Sequence, residues 1–365
     1  TQFLVEPGCT PSRAALMTGR YAVRTWLGTV ILAGAGNTLQ DKELTLAEVF
    51  KSRGYATGMA GKWHLGFDEQ SWPTRQGFDE YRGGVIETSD ATLYRANMER
   101  AGLSEAQIAA AVPGIYESDS EGNLKRVREY TTEYRHQVEA DIAKYSVDYI
   151  KSHAQRSEPF FLYVGWTHTH YPSLTAPEFT GKSTHRYGDA MMELDYRTGQ
   201  VLDAIAEAGI ENNTIVIWVS DNGASPDLSP WPDWGSSNAP FRGEVGDPLE
   251  GSIRTVGMIK WPGRIRAGKN NGMFAIHDFV PTLASIIGVE LPSDRPYDGV
   301  DQSAFLLGQQ DHSNREHLLT FLSNEIAALR WRHYRIYPKS YRGSFNNPSQ
   351  EGLLGVQMER NGAPD

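Results

Sequence analysis

Six consecutive residues, Thr214-Ile215-Val216-Ile217-Trp218-Val219, are apolar or β-branched and lack the alternation of a strand with one wet face. Such a run reads as a strand buried on both sides, which requires a sheet covered by helices on both faces. The residues before it agree. Met191, Leu194, Thr198, Val201, Leu202 and Ile205 fall on one helical face, Gly209 follows as a stop, and Asn212-Asn213 turns the chain into the strand. The same order occurs earlier, where Leu44, Leu46, Val49 and Phe50 precede Gly54 and the strand-like run Tyr55 to Ala60. Phe160-Phe161-Leu162-Tyr163-Val164 is a third core-strand candidate. The chain therefore predicts an α/β fold, with a largely parallel sheet between helices.

With 365 residues and 39% hydrophobic content, the chain can hold one large core and a smaller appendage, the usual outcome above roughly 250 residues. A formal charge of −10 without any Lys/Arg-dense run argues against nucleic acid, whose binding draws on clustered positive charge. No stretch approaches the roughly 20 apolar residues needed to span a bilayer, so no membrane partner is expected. The single cysteine excludes an internal disulfide and leaves the compartment open. The opening at Thr1-Gln2-Phe3, without initiator Met or leader, and the polar close at Asp365 read as trimmed ends of a longer gene product.

Residues 82 to 157 are mostly polar, with a helix expected around Glu133 to His153, and read as a surface excursion from the sheet. Residues 224 to 241 hold Pro226, Pro230, Pro232 and Pro240 with Trp231 and Trp234, an irregular loop whose indoles either stack on a sugar or aryl ring or simply pack down. Beyond about residue 310, Leu318 to Phe321 and Leu329 to Tyr337 look like strands of a separate small sheet. These features divide the chain into residues 1–310 and the beginning of a small C-terminal subdomain, 311–365.

In open α/β sheets ligands gather outside the carboxyl ends of the strands, which directs attention to four segments. Cys9-Thr10-Pro11-Ser12-Arg13-Ala14-Ala15-Leu16-Met17-Thr18-Gly19-Arg20 reads as a loop entering a short helix, Pro11 in its first turn and Gly19 past its last. Cys9 would sit at the helix N-terminus, where free N–H groups favour an anion, with Arg13 one turn on. Gly61-Lys62-Trp63-His64-Leu65-Gly66 follows the strand-like run at 55–60, and His168-Thr169-His170-Tyr171-Pro172 follows the one at 160–164. Two histidines one residue apart point to opposite sides of an extended chain, so one of them, His170, is expected in the site and His168 in a structural role. Ser220-Asp221-Asn222-Gly223 closes the buried strand and offers two hard oxygen ligands, although Asp-Asn-Gly alone is more often a turn than a metal site.

Cys-x-Pro-x-Arg followed by Ala-Ala-Leu-Met-Thr-Gly-Arg resembles the signature of the formylglycine-dependent sulfatases, and the other segments occur in that family's order up to about Tyr337. The resemblance implies an alkaline-phosphatase-like fold, with a large mixed, mostly parallel sheet sandwiched by helices and a small C-terminal antiparallel sheet. It implies hydrolysis of an aryl or carbohydrate sulfate ester through the hydrate of formylglycine, made from Cys9 by a formylglycine-generating enzyme. One hydroxyl of the hydrate attacks sulfur and the other is deprotonated to expel sulfate. By the same resemblance Arg13, Lys62 and His170 hold sulfate, His64 takes the proton of the second hydroxyl, and Asp221 and Asn222 bind Ca²⁺, or Mg²⁺. His170 precedes the aromatic-Pro pair Tyr171-Pro172, and an ordinary near-neutral pKa would suit it to protonate the leaving oxygen.

Two departures from the family pattern stand out. Many relatives carry a Lys where this chain has Val245, and Glu244 beside it has the wrong charge to replace that Lys. Relatives also begin with a strand ending in an Asp-Asp pair that ligates the calcium, whereas the only acid before Cys9 is Glu6. Two rivals stay open: a phosphonate or phosphodiester hydrolase on the same scaffold, since a tetrahedral phosphoryl group fits a similar anion site, and, because of these departures, a catalytically silent protein that binds sulfated glycans.

Overall fold

The computed structural model describes residues 2–32, 37–225, 235–338 and 355–358. Trp231 and Trp234, with Pro226, Pro230 and Pro232, lie outside the described residues. The chain begins with β1 (Gln2–Leu4), α1 (Cys9–Thr18), α2 (Leu46–Lys51), β2 (Ala56–Lys62) and β3 (Glu80–Val85). Next come α3 (Tyr94–Arg100), α4 (Glu105–Ala111), β4 (Gly114–Ser118), β5 (Leu124–Glu129), α5 (Thr132–Arg135), α6 (Val138–His153), β6 (Phe160–Gly165), α7 (Arg186–Glu207) and β7 (Val216–Val219). The last part holds α8 (Glu250–Ile253), β8 (Arg254–Thr255), β9 (Gly257–Lys260), β10 (Met273–Ala275), α9 (Phe279–Ile287), α10 (Ser303–Leu306) and the strands β11 (His317–Leu322), β12 (Glu325–Trp331), β13 (Tyr334–Tyr337) and β14 (Gly355–Met358).

The main sheet has two halves. One has the order β5-β4-β3-β2-β6, with β2 parallel to both β3 and β6 and with β4 and β5 antiparallel at its edge. In the other, β7 pairs with β9, and β8 pairs with β1, which pairs in turn with β10. β8 and β9 are separated only by Val256, whose carbonyl accepts the Ser220 N–H at 3.4 Å, so they join these two pairings in sequence. Among the described residues neither β6 nor β7 has a partner on its second edge. A cavity of about 1520 Å³ lies along both, lined by Phe160–Gly165, Val216–Val219, the apolar face of α7 from Met191 to Ile205, and Leu283 and Ile287 of α9.

This gap explains the largest departure from the sequence expectation. The run 214–219 forms the expected strand, but every residue of β7 is half-buried and not enclosed on both faces. The helical face of α7 is the expected one, yet Met191 and Leu202 on it are 38% and 37% exposed because they border the same cavity. Residues 82–157 also differ from the surface excursion expected. They supply β4 and β5 to the sheet, and α6 packs Val138 and Ile142 into a core with Val85 and Ile115. The polar sequence of edge strand β5 and the short, mixed sequence of β4 concealed them, whereas the helix at Glu133 to His153 is present as α5 and α6.

Beyond residue 310 the strands β11-β12-β13-β14 form a separate antiparallel sheet. The run expected at 329–337 is broken by a turn at Arg332, with φ 51°, so it contributes to two strands. Buried Arg330 and Arg335 of this sheet both bind Glu250 of α8, and Arg330 also donates to Gln2 Oε1 at 2.6 Å. These ionic contacts join the small sheet to the main one.

Candidate active site

The carboxyl ends of β2, β6 and β7 converge on the start of α1. Gly8, in extended conformation, is the N-cap, Cys9 opens the helix, and Gly19 closes it in the left-handed region at φ 68°. The capping pattern read from Pro11 and Gly19 is therefore the one the structure adopts. Ser12 ties the approach to α1 by exchanging hydrogen bonds with the Glu6 backbone, both at 3.0 Å. Cys9 is 7% exposed. Its thiol donates to Asn222 Oδ1 at 3.2 Å. Burial pushes the thiol up from its ordinary pKa, while the charges of Lys62 and Arg13 pull it back.

Arg13 is the hub. Its Nε and Nη2 bind Asp221 Oδ2 at 2.9 and 2.8 Å, and its Nη1 donates to the Lys62 carbonyl at 2.8 Å and to the Tyr163 hydroxyl at 3.1 Å. A guanidinium has five N–H groups, so protein partners occupy four of them. Arg13 thus has less left for an anion than expected, and it works mainly by fixing Lys62, Tyr163 and Asp221 relative to one another. Asp221 in turn stays below the usual carboxylate range: burial pushes it up, but the charges of Arg13 and Lys62 outweigh that.

Lys62 can turn from β2 into the site because of Gly61. Gly61 has φ 84°, and a Cβ there would lie 2.2 Å from the Gly165 carbonyl oxygen, so no other residue fits. His64 follows in the left-handed region at φ 61°, a costly conformation for a non-glycine residue. Its ring is fully buried, and Nε2 donates to the Ile31 carbonyl at 2.8 Å. The other nitrogen, Nδ1, is buried without a partner among the described residues. Burial, reinforced by Lys62, keeps the ring neutral well below its ordinary pKa.

His170 lines the cavity with Cys9, Lys62, Asp221, Thr88 and Asp90. Its Nδ1–H donates to the Tyr171 carbonyl at 2.6 Å, which leaves Nε2 for whatever enters. Its pKa is not near neutral as expected. Burial and the charge of Lys62 lower it to about 4, against the opposing pull of Asp90 and Asp221. In the free site His170 is therefore a hydrogen-bond acceptor, and an anion placed beside it would draw a proton back onto the ring. His168 is buried among Arg135, Glu139 and Glu193, in keeping with a structural role. Val245 lines the cavity and brings no charge to it.

The sequence reading missed Tyr163, Thr88 and Asp90. Tyr163 was legible only as part of an apolar run. Thr88 and Asp90 follow β3, whose carboxyl end points the same way as that of β2.

Asp221 and Asn222 offer the hard oxygens a divalent cation prefers, but they do not fit one by themselves. Asp221 Oδ2 is engaged twice by Arg13, Asn222 Oδ1 accepts from Cys9, and no group of three or more His, Cys, Asp or Glu side chains is disposed around an ion among the described residues. A calcium site takes six to eight oxygens.

Residues 1–289 match the family model described as Sulfatase. Rat (Rattus norvegicus) steryl-sulfatase is 32% identical over 98% of this chain and 73% of its own length. N-acetylgalactosamine-6-sulfatase of the dog (Canis lupus familiaris) is 34% identical over 84% of this chain, which spans 58% of that protein. Among solved structures, the PsFucS1 sulfatase from Pseudoalteromonas sp. superposes with a TM-score of 0.87 at 31% identity, covering 98% of this chain and 73% of that one. The phosphonate monoester hydrolase SpPMH from Silicibacter pomeroyi shares the fold alone, with a TM-score of 0.55 at 14% identity, covering 96% of this chain and 84% of that one. Enzymes of this family are sulfuric ester hydrolases that in general carry formylglycine and a divalent metal. With the motifs gathered at one corner of an alkaline-phosphatase-like sheet and the match running through residue 289, the chain belongs to the sulfatase family.

Proposed function

We propose that this chain hydrolyses a sulfate ester, of an aryl or carbohydrate alcohol, to the alcohol and inorganic sulfate, with Cys9 as the precursor of the nucleophile. The observation that carries the reading is the environment of Cys9. It stands at the first turn of α1, donating to Asn222 and under the positive charge of Lys62 and Arg13, at the point where three strand ends meet. As the hydrate of formylglycine, residue 9 would supply two hydroxyls on one carbon, one to attack sulfur as the alcohol leaves and one to give up its proton as sulfate leaves and the aldehyde re-forms.

Lys62, held by its backbone contact with Arg13, neutralises the sulfate oxygens. The α1 N-terminus adds N–H groups to the same anion. His64, neutral and with Nδ1 unpartnered, is suited to accept a proton, while His170 Nε2 meets the ester from the β6 side and becomes a donor when the anion raises its pKa. Residues 1–310 form the catalytic domain in this reading, and 311–365 begin a small C-terminal subdomain. The slot between β6 and β7 is the place for the strand whose Asp-Asp pair, with Asp221 and Asn222, would complete a calcium site. What supports that placement is the pair of open edges and the apolar lining.

The test is mass spectrometry of the Cys9 peptide after expression of the full-length gene with a formylglycine-generating enzyme, followed by turnover of an aryl sulfate and its phosphate analogue. Conversion of thiol to aldehyde with sulfate preferred is the expected result. An unmodified Cys9 would overturn the mechanism, and preference for the phosphate analogue would favour a phosphoryl or phosphonate hydrolase.

A further inference from the structure

Behind the loop that carries His170 lies a chain of buried charged side chains that the hydrolysis does not use. Arg135, at the end of α5, and Glu139, on α6, are 0% and 2% exposed and pair at 3.2 Å. Glu139 Oε1 also accepts from the backbone N–H groups of Thr167 and His168, at 3.2 and 2.8 Å, and from the Thr167 hydroxyl. On the far side, Glu193 of α7 accepts the Ala176 N–H at 2.9 Å and the Arg197 guanidinium at 3.2 Å. The loop is therefore bound at its start by one carboxylate and at its end by another.

His168 bridges them. Arg135 Nη2 reaches His168 Nδ1 at 2.9 Å, and His168 Nε2 reaches Glu193 Oε2 at 3.1 Å. A guanidinium donates and never accepts, so Nδ1 is bare and the ring proton lies on Nε2, where it donates to Glu193. Its two partners hold the ring in that tautomer. Arg135 and Arg197 balance Glu139 and Glu193 in charge, as a buried network requires, although Arg135 Nε is buried without a partner among the described residues. Between the two anchors, the His170 N–H donates to the Thr167 carbonyl at 3.0 Å, and the single Ser173 hydroxyl proton is shared between the carbonyls of Thr169 and His170, each 3.0 Å from Oγ. The orientation of His170 is thus inherited from a loop whose ends are set by Glu139 and Glu193, and His168 ties Arg135, the partner of Glu139, to Glu193.

We infer that the Arg135–His168–Glu193 crossbar is a positioning device that presents His170 Nε2 to the reacting ester. His168, though it lines the cavity, acts through His170. The inference rests on the sulfate-ester reading above.

Two variants test it. His168→Gln keeps an acceptor for Arg135 and a donor for Glu193, whereas His168→Leu keeps neither. The readouts are the ring ¹⁵N shifts of His170, with and without inorganic sulfate, and kcat and KM for an aryl sulfate on the full-length, formylglycine-bearing protein. His168→Leu should lower kcat by roughly 10–100-fold, the range for partners that orient a working group, with KM changed less than about 3-fold. It should also move the His170 shifts from the single Nδ1–H tautomer toward a mixture. His168→Gln should restore both. The inference is overturned if His168→Leu leaves the His170 shifts unchanged, or if both variants lose activity only in proportion to lost Tm. If His168→Leu does not fold, Glu193→Gln weakens the same crossbar and is read in the same way. Absence of turnover in the unsubstituted protein would count against the sulfatase reading, and the ¹⁵N shifts would still decide the crossbar.

Discussion

The active corner is built from two flanks that the fold supports unequally. On one side α1 and the end of β2 bring Cys9, Arg13, Lys62 and His64, none more than 8% exposed, out of a sheet half in which β2 is paired along both edges. On the other side Asp221 and Asn222 extend from β7, half-buried and paired only with β9 among the described residues. The first flank is held by a continuous core. The second is held to the first mainly by one guanidinium, so its geometry depends on Arg13 and on whatever fills the slot beside β7.

The largest effect expected is on the first flank. Cys9→Ala removes the nucleophile precursor and should lower turnover of an aryl sulfate by on the order of 10⁴-fold or more, as loss of a nucleophile generally does. Residual turnover within about tenfold of the unsubstituted protein would show that the two flanks do not divide the chemistry as described. Next comes a matched pair in the two sheet halves. Met59→Ala in β2 empties a site that is 0% exposed and should cost about 3 kcal/mol in a urea melt, whereas Ile217→Ala in half-buried β7 should cost about 1 kcal/mol. Equal costs would mean that the slot is closed in solution.

These expectations also mark what was legible in the sequence. Cys9, Arg13, Lys62 and His64 were readable because each sits in a short contiguous string whose glycines and proline set the local backbone. The run 214–219 revealed a strand but not its open edge, since pairing is a property of two segments and only one was in view. Arg135, Glu139 and Glu193 were invisible for a related reason. They look like ordinary polar positions on amphipathic helices until the fold brings His168 between them. β5 was missed because an edge strand tolerates the polar composition of Leu124–Glu129, and β4, paired on both sides, because Gly114–Ser118 is too short and mixed to show a strand pattern.

The junction between the flanks gives a sharper test. Asp221→Asn leaves the Arg13 guanidinium without its counter-charge and should cost about 2 kcal/mol, less than for a fully enclosed pair because the Asp221 side chain is 23% exposed. No loss would show that β7 is secured by other contacts. The smallest effect concerns pH. The folded-state pKa of His170 is near 4, below its ordinary 6.5, so between those values the unfolded chain binds the additional proton. Stability should therefore fall as pH drops from 6.5 toward 4. His170→Gln should flatten that slope by on the order of 1 kcal/mol, allowing for solvent screening. An unchanged slope would assign the acid sensitivity to His64 or His277, whose rings burial also keeps neutral.

Arg13 has a further consequence, for the order of assembly. Its partners Lys62, Tyr163 and Asp221 lie 49, 150 and 208 residues downstream. On a ribosome, most of the described chain must emerge before this cation meets its carboxylate. Contacts so distant in sequence form slowly and late, so the anion cradle should be among the last parts of the molecule to mature. Variants around Arg13 would then reduce the yield of folded protein before they change the melting temperature of the molecules that succeed.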